Sequence, residues 1–132
     1  MSEASQELAW IDTHCHVDAP EFSDMLPEII SGAAVKGVKA ILIPTVQAAG
    51  WEQVKKLVNQ YGKTIPGLVY TLGIHPLYIN QAKESDIKAL KNQIEHSLND
   101  PQFVGIGEIG LDYFVEGLDP QRQEHFFHVQ LD

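Results

Sequence analysis

The sequence predicts an α/β fold in which about four βα units build half of a (β/α)8 barrel. Four apolar runs rich in strand-forming residues alternate with helical patterns along the chain. A polar residue follows or closes each run, and these residues are roughly 30 positions apart: His14, Thr45, His75 and Glu108. The length of 132 residues is about half of the roughly 250 that such a barrel needs.

The four apolar runs are expected to form parallel strands. They are continuous hydrophobic segments and not in–out alternations, which is typical of strands covered on both faces. Because the strands alternate with helices, right-handed crossovers should connect them. The runs are Leu8–Thr13, Ala40–Pro44, Leu68–Ile74 and Phe103–Ile109.

Four helices are expected between and after these strands. The first opens near Ser23 with Pro27 in its first turn, and Gly37 lies just past its end. Gly62 ends the second helix, and Ser85 is expected to cap the start of the third. The predicted helices cover about Asp24–Val35, Trp51–Tyr61, Asp86–Leu98, and Pro120 to the last residue, Asp132.

Two architectures share this alternation of strands and helices. A doubly wound sheet usually carries a glycine-rich turn after its first strand, whereas residues 14–18 contain no glycine. A (β/α)8 barrel places its chemistry at the carboxyl ends of several strands, where the polar residues are found. We therefore expect residues 1–132 to form the N-terminal half of such a barrel.

The composition is that of a globular protein, and its charge limits the ways in which it could bind nucleic acid. Hydrophobic residues make up 44% and charged residues 20%, and 9 Lys and Arg face 18 Asp and Glu, for a net charge of −9. A broad basic face that grips phosphates is therefore not expected. If the substrate carries phosphate, bound metal ions must supply much of the positive potential.

The sequence also predicts a cytoplasmic protein without a membrane segment. It has no apolar run of transmembrane length, and its polar, acidic residues 1–7 lack the order of a secretory signal. Its single cysteine, Cys15, cannot form an internal disulfide and fits a reducing compartment.

The motif at residues 11–18 predicts a pair of metal-binding histidines. Because side chains on a strand alternate faces, Asp12, His14 and His16 should share one face and Cys15 should pack on the other. Two imidazoles suit Zn, Mn, Fe or Ni, and can hold Mg when carboxylates share the site. Asp12 could orient one of the rings. The alternative is a pair of core or surface histidines.

Glu108 is the second candidate ligand. It lies in a glycine-spaced apolar run, where a carboxylate is costly unless it is paired or coordinated. No Lys or Arg occurs between Lys91 and Arg122 to pair with it. Glu108 therefore fits a metal ligand that could bridge two ions, the alternative being a structural carboxylate. Asp112 is four residues after Glu108 and would face the same side of a continued strand, but it falls in a loop. A role for Asp112 in metal binding is therefore less strongly predicted.

His75 is the third candidate, because Pro76 ends the strand and restricts the residue before it. From this position His75 could donate a hydrogen bond to a phosphate or an oxyanion, and a structural role is equally open. His96, His125 and His128 fall in helical segments and are expected to be structural.

Taken together, these motifs resemble the TatD family of metal-dependent deoxyribonucleases. The resemblance rests on Ile-Asp-Thr-His-Cys-His-Val-Asp, Gly-Ile-His-Pro and Val-Gly-Ile-Gly-Glu-Ile-Gly-Leu-Asp-Tyr, with Gln123, Phe127, Gln130 and Leu131 after them. It implies a TIM barrel with one or two divalent ions (Mg, Mn or Zn) that hydrolyses DNA or another phosphodiester. It also implies that His14, His16 and Glu108 bind metal and that His75 and Glu108 are catalytic, with His75 beside the scissile phosphate. The family's two later histidines and late aspartate would lie beyond residue 132.

The expected reaction is attack of metal-activated water on phosphorus, weak or absent in this chain alone. One alternative is an amidohydrolase-like enzyme acting on a small C–N or C–O substrate, and another is an inactive truncated fragment.

A half-barrel should also expose the inner face of Ala40–Ile43 and Leu68–Leu72 and two open strand edges. We therefore expect the chain to self-associate through that face.

Overall fold

The computed structural model describes residues 8–132, so the prediction made on residues 1–7 lies outside the described residues. Its four strands form one parallel sheet in the order β1-β2-β3-β4, which is their order along the chain. This order contains no switch point of the kind that a doubly wound sheet needs. The strands are β1 (Trp10–Asp12), β2 (Val38–Pro44), β3 (Gly67–Leu72) and β4 (Phe103–Ile106).

Each strand is followed by a helix, as the alternation predicts. The α-helices are α1 (Leu26–Val35), α2 (Trp51–Tyr61), α3 (Glu84–Ser97) and α4 (Pro120–Leu131), and short 3₁₀ segments cover Pro20–Met25, Ala48–Gly50 and Pro76–Tyr78. The prediction for α2 is confirmed at both ends. Helix α1 starts later than expected because the first 3₁₀ segment precedes it.

The start of α3 differs from the prediction. Lys83, and not Ser85, occupies the N-cap position. The carboxylate of Asp86 accepts a hydrogen bond from the Lys83 backbone N–H at 2.8 Å. Because an acidic side chain in the first turn satisfies a free N–H and also favours the helix dipole, it replaces a serine cap.

Three strands are shorter at their carboxyl ends than the apolar runs suggest. They stop at Asp12, Leu72 and Ile106, and the chain then crosses over the end of the sheet. His75, for example, donates its backbone N–H to Val46 at 2.9 Å, and Glu108 donates to Thr45 at 2.8 Å. The candidate site residues therefore lie in the loops just beyond the strands.

The core lies between the sheet and its helix layer. Ile43, Leu68, Tyr70 and Leu72 are fully buried on the sheet. Helix residues pack against them, including Ile30, Val54, Leu57, Leu90 and Phe126. Burying a side chain of this size contributes roughly 1.5–3 kcal/mol. The apolar runs of the sequence therefore supply the strand side of this hydrophobic core.

The opposite face of the sheet is only partly open to solvent, which corrects one expectation. Ile41 in β2 and Leu68, Tyr70 and Leu72 in β3 are buried, because they point toward the helices. Between them, Leu42 and Val69 pair in register and are half-buried.

The apolar side chains of the two edge strands are more exposed than those of the central strands. In β1, Trp10 is 56% and Ile11 69% exposed, and in β4, Val104 is 50% and Ile106 45% exposed. Within residues 8–132, no helix is long and apolar enough to cross a membrane.

Candidate metal centre

His14 and His16 lie in the loop that follows β1, and their rings converge. The two Nε2 atoms are 3.3 Å apart, with the rings edge to face at a centroid distance of 5.0 Å. Strand alternation predicted this convergence for the wrong reason, since β1 ends at Asp12. Asp12 accepts a hydrogen bond from the backbone N–H of His14 at 3.1 Å, so it fixes the loop and not a ring, contrary to expectation.

Glu108 approaches this pair from the loop after β4. Its Oε2 lies 3.4 Å from His14 Nε2 and 3.3 Å from His16 Nε2. The same oxygen is buried and has no hydrogen-bond partner. A buried carboxylate oxygen without a donor is costly, and a cation held between the three atoms would remove that cost.

The spacing of the three donor atoms fits a metal ion. Donors about 2.0–2.1 Å from a tetrahedral ion lie about 3.3–3.4 Å from one another by geometry, which matches the distances between His14, His16 and Glu108. These residues form the one group within residues 8–132 that could hold an ion through at least three His, Cys, Asp or Glu side chains. Two nitrogens and one carboxylate oxygen suit Zn²⁺ or Mn²⁺, and the set does not select one metal.

A buried threonine joins the strand ends beneath this cluster. Thr45 donates its hydroxyl to the Thr71 carbonyl at 3.0 Å and accepts from the Gly73 N–H at 3.1 Å. Its carbonyl accepts from the Glu108 N–H, and Thr71 donates its hydroxyl to the Gly107 carbonyl at 2.8 Å. The positions of β2, β3 and Glu108 are therefore set relative to one another.

Close packing at Gly73 completes this arrangement. A Cβ at Gly73 would lie 2.6 Å from the carbonyl carbon of Gly107. Only glycine allows the backbone after β3 to come this near to the backbone that carries Glu108.

His75 reaches the same cluster from the loop after β3. Its Nδ1 accepts the backbone N–H of Leu77 at 3.0 Å, so the neutral ring carries its proton on Nε2. That Nε2 lies 3.3 Å from Oε1 of Glu108. The ring is mostly buried, with 18% of its side chain exposed. His75 is thus oriented with a donor facing the cluster.

The remaining sequence candidates lie outside the cluster. Cys15 packs against the core, and burial, followed by the charge of Asp12, raises the pKa of its thiol. Asp112 holds its own loop, since its Oδ1 accepts the N–H of Phe114 at 2.9 Å. His96 lies on α3, and His125 and His128 lie on α4. His96 contacts the Asn92 carbonyl, and His125 contacts Glu84.

Two buried glutamines on α4 hold the site loops, and sequence reasoning did not assign them this role. Gln130 bonds both backbone groups of Ile74, the residue before His75. Gln123 bonds both backbone groups of Asp112, accepting at 2.8 Å and donating at 2.8 Å. Their separation of two helical turns was the available signal, since a buried amide must find hydrogen-bond partners.

Comparison with known proteins agrees with the family resemblance of the sequence motifs. A family model described as TatD related DNase matches residues 11–132. The uncharacterized metal-dependent hydrolase YjjV of Escherichia coli (strain K12) is 35% identical over 92% of this chain and 45% of its own length. The 3'-5' ssDNA/RNA exonuclease TatD of Salmonella typhimurium is 32% identical over 91% of this chain and 43% of its own length. This chain therefore spans about half the length of the curated relatives it matches.

Solved structures show the same likeness. The crystal structure of the TatD homologue YjjV from Escherichia coli K12 matches 92% of this chain and 45% of its own chain, with a TM-score of 0.80 and 32% identity. A TatD family hydrolase from Entamoeba histolytica matches 92% of this chain and 44% of its own, with a TM-score of 0.76 at 23% identity, which supports the fold alone. The predicted barrel-type α/β fold is confirmed.

Proposed function

Because the chain belongs to the TatD-related DNase family, we propose that it forms part of a metal-dependent phosphodiesterase that acts on DNA. The observation that carries this proposal is the set of three donor atoms 3.3–3.4 Å apart around an unpartnered carboxylate oxygen. His14, His16 and Glu108 would hold one divalent ion, and a second ion would need further ligands. A bound ion supplies Lewis acidity and activates water for attack on phosphorus.

His75 and Glu108 are proposed to position the phosphate at the metal centre. His75 presents Nε2–H toward the cluster, where it can donate to a non-bridging oxygen of the phosphate and stabilise charge in the transition state. Glu108 serves both sides, since Oε2 faces His14 and His16 while Oε1 faces His75. Its carboxylate therefore lies between the metal ligands and the donor of His75.

The net charge supports a metal-dependent route to an anionic substrate. With a charge of −9, the chain has little basic surface to attract a phosphodiester. A divalent ion at the cluster would provide the local positive potential that the side chains lack. The relative from Salmonella is named an exonuclease of single-stranded DNA and RNA, so single-stranded DNA is the first substrate to test.

The experiment separates phosphodiester recognition from other hydrolytic chemistries. Binding of a hydrolysis-resistant phosphorothioate oligodeoxynucleotide should require Zn²⁺ or Mn²⁺ and should be lost in Glu108→Gln and His75→Ala. The same protein should then be screened against a phosphodiester, a lactone and an amide. Metal-dependent turnover of the lactone or amide alone would favour the amidohydrolase alternative. Failure to bind the oligonucleotide with metal present would contradict the proposal.

We further propose that copies of this chain associate through the edge strands. The exposed side chains of Trp10 and Ile11 on β1 and of Val104 and Ile106 on β4 support this proposal. An open strand edge is also a template for pairing with another chain.

A cytoplasmic location is proposed as well, supported by the single Cys15, which cannot form an internal disulfide. Cell fractionation would test the location.

A further inference from the structure

Helix α4 makes a second set of contacts with the segment that carries His75, through the guanidinium group of Arg122. Its Nε donates to the Ile79 carbonyl at 3.1 Å, and its Nη2 donates to the Ala82 carbonyl. The guanidinium carbon lies 4.8 Å from the centre of the ring of Phe126, which is buried. Two carbonyls and an aromatic face therefore hold this group in one orientation.

The two carbonyls belong to a compact turn that begins at His75. The Tyr78 N–H donates to the His75 carbonyl at 3.0 Å, and the Ala82 N–H donates to the Tyr78 carbonyl at 3.1 Å. The ring of His75 takes part as well, since its Nδ1 accepts the Leu77 N–H at 3.0 Å. Residues 75–82 are thus linked by hydrogen bonds from this ring to the carbonyls that the guanidinium binds.

Helix α4 therefore holds the turn from both sides. Gln130 bonds both backbone groups of Ile74, immediately before the turn, and Arg122 bonds the carbonyls near its end. A guanidinium presents its donors in a fixed fork, whereas a lysine ammonium is a point charge on a flexible stem. The fork, and not the positive charge alone, suits a pair of carbonyls from one turn.

We propose that Arg122 is a positioning residue for the phosphodiesterase site and that it acts through His75. This inference rests on the proposed function, in which Nε2–H of His75 donates to a non-bridging oxygen of the phosphate. That Nε2 lies 3.3 Å from Glu108 Oε1, and its ring is tied to the turn through the Leu77 N–H. Because a displacement of about 1 Å can strongly impair a site, a loosened turn moves this donor out of place. Arg122 itself contributes no ligand to the metal centre.

The first readout is a pair of affinities measured by calorimetric titration. One is the affinity for Zn²⁺, and the other is that of the Zn²⁺-loaded protein for the phosphorothioate oligodeoxynucleotide. Since a hydrogen bond to a charged group is commonly worth about tenfold or more in affinity, Arg122→Ala should weaken oligonucleotide binding about tenfold. The affinity for Zn²⁺ should not change. Arg122→Lys should weaken oligonucleotide binding nearly as much, because lysine keeps the charge and not the fork.

Lys88→Ala is the matched control. Lys88 is exposed on α3, and its substitution removes the same positive charge from the chain. Because solvent and salt screen a distant surface charge, this variant should bind the oligonucleotide within about twofold of the parent. Urea unfolding shows that each variant is folded. Arg122→Lys, which keeps most of the stem, carries the test if Arg122→Ala fails to fold.

The second readout is specific to His75. In the parent, the neutral ring carries its proton on Nε2 because Nδ1 accepts the Leu77 N–H. In Arg122→Ala and Arg122→Lys the end of the turn is released, so the ring should populate both neutral tautomers. ¹⁵N NMR should then show the signals of Nδ1 and Nε2 closer together than in the parent. A general loss of stability would lower the urea midpoint without this change, and Lys88→Ala should show the parent spectrum.

The outcomes separate this inference from the proposed function. If the parent does not bind the oligonucleotide, or if His75→Ala binds it as the parent does, both are contradicted. If His75→Ala loses binding while the two Arg122 variants bind as Lys88→Ala does, Arg122 has no positioning role and the proposed function stands. Weaker oligonucleotide binding with an unchanged ring spectrum, or with an equal loss of Zn²⁺ affinity, would show that Arg122 does not act through His75 and would overturn the inference.

Discussion

The side-chain amide of Gln130 pairs with both backbone polar groups of Ile74. Oε1 accepts the Ile74 N–H at 2.7 Å and Nε2 donates to the Ile74 carbonyl at 3.2 Å, across 56 positions of sequence. Nε2 also bonds the Phe126 carbonyl at 2.9 Å within α4. Because Ile74 precedes His75, helix α4 sets the backbone that carries the donor of the candidate site.

Substitution Gln130→Leu should therefore destabilise the protein by about 2–4 kcal/mol, because two buried backbone groups lose their partners. Urea unfolding measures this change. The control is Gln121→Leu, an exposed position on the same helix, which should stay within about 0.5 kcal/mol of the parent. Equal effects at both positions would show that the pairing with Ile74 contributes nothing specific. NMR of the His75 ring should show a displaced resonance in Gln130→Leu alone.

Isothermal titration with Zn²⁺ or Mn²⁺ should show binding that His14→Ala, His16→Ala or Glu108→Ala abolishes. The physical reason is that each variant removes one of the three donors that converge within residues 8–132. His128→Ala on α4 is the matched control and should bind as the parent does. Unchanged affinity in the first three variants would mean that the metal binds elsewhere.

We expect the 132-residue polypeptide to hydrolyse single-stranded DNA slowly or not at all. Three donors converge within residues 8–132, and the family resemblance implies further ligands and a general base at later positions. Loss of a positioned general base typically costs about 10²–10⁴-fold. The measurement is turnover beside the Salmonella relative under the same conditions. Comparable rates that depend on Glu108 and are stopped by a chelator would refute this expectation.

Self-association should appear as a dimer or larger species by light scattering after size exclusion. Apolar burial contributes roughly 25 cal/mol per Å², so covering the exposed edge-strand side chains favours association. Ile11→Lys and Ile106→Lys should shift the protein toward monomer. Val35→Lys should not, although Val35 on α1 is even more exposed, at 85%. A compact monomer of the parent chain at micromolar concentration would exclude this mode of assembly.

Alkaline pH should expose the contribution of Tyr70. Burial raises the pKa of its phenol from 10.0 to about 12, and its hydroxyl donates to Asp100 Oδ2 at 2.7 Å. Because the folded-state pKa is the higher one, the stability it confers is complete below about pH 10 and is lost as pH rises toward 12. Tyr70→Phe should cost about 0.5–1.5 kcal/mol at neutral pH and should flatten the alkaline decline in urea unfolding. A decline as steep as that of the parent would place its cause in other groups.

The order of strands and helices could be predicted from the sequence because local chemistry determines it. Continuous apolar runs mark covered strands, and Trp51–Tyr61 ends where Gly62 begins. The cap of α3 could not be predicted in this way. Ser85 and Lys83 are both near the start, and the choice depends on the Asp86 carboxylate reaching the Lys83 N–H.

The sequence by itself determined the fold class and the residue types of the candidate site, because hydrophobic continuity and the donor chemistry of His14, His16 and Glu108 are local properties. The ends of the strands and the convergence of the site were decided by tertiary structure. His14 and Glu108 are distant in sequence, and they meet because parallel strands end at one edge. There the Cys15 N–H donates to the Leu42 carbonyl and the Glu108 N–H donates to the Thr45 carbonyl, so both loops are bound to β2 and its end. The role of Gln130 was likewise decided in three dimensions, since a buried amide acquires its function from the backbone groups it meets.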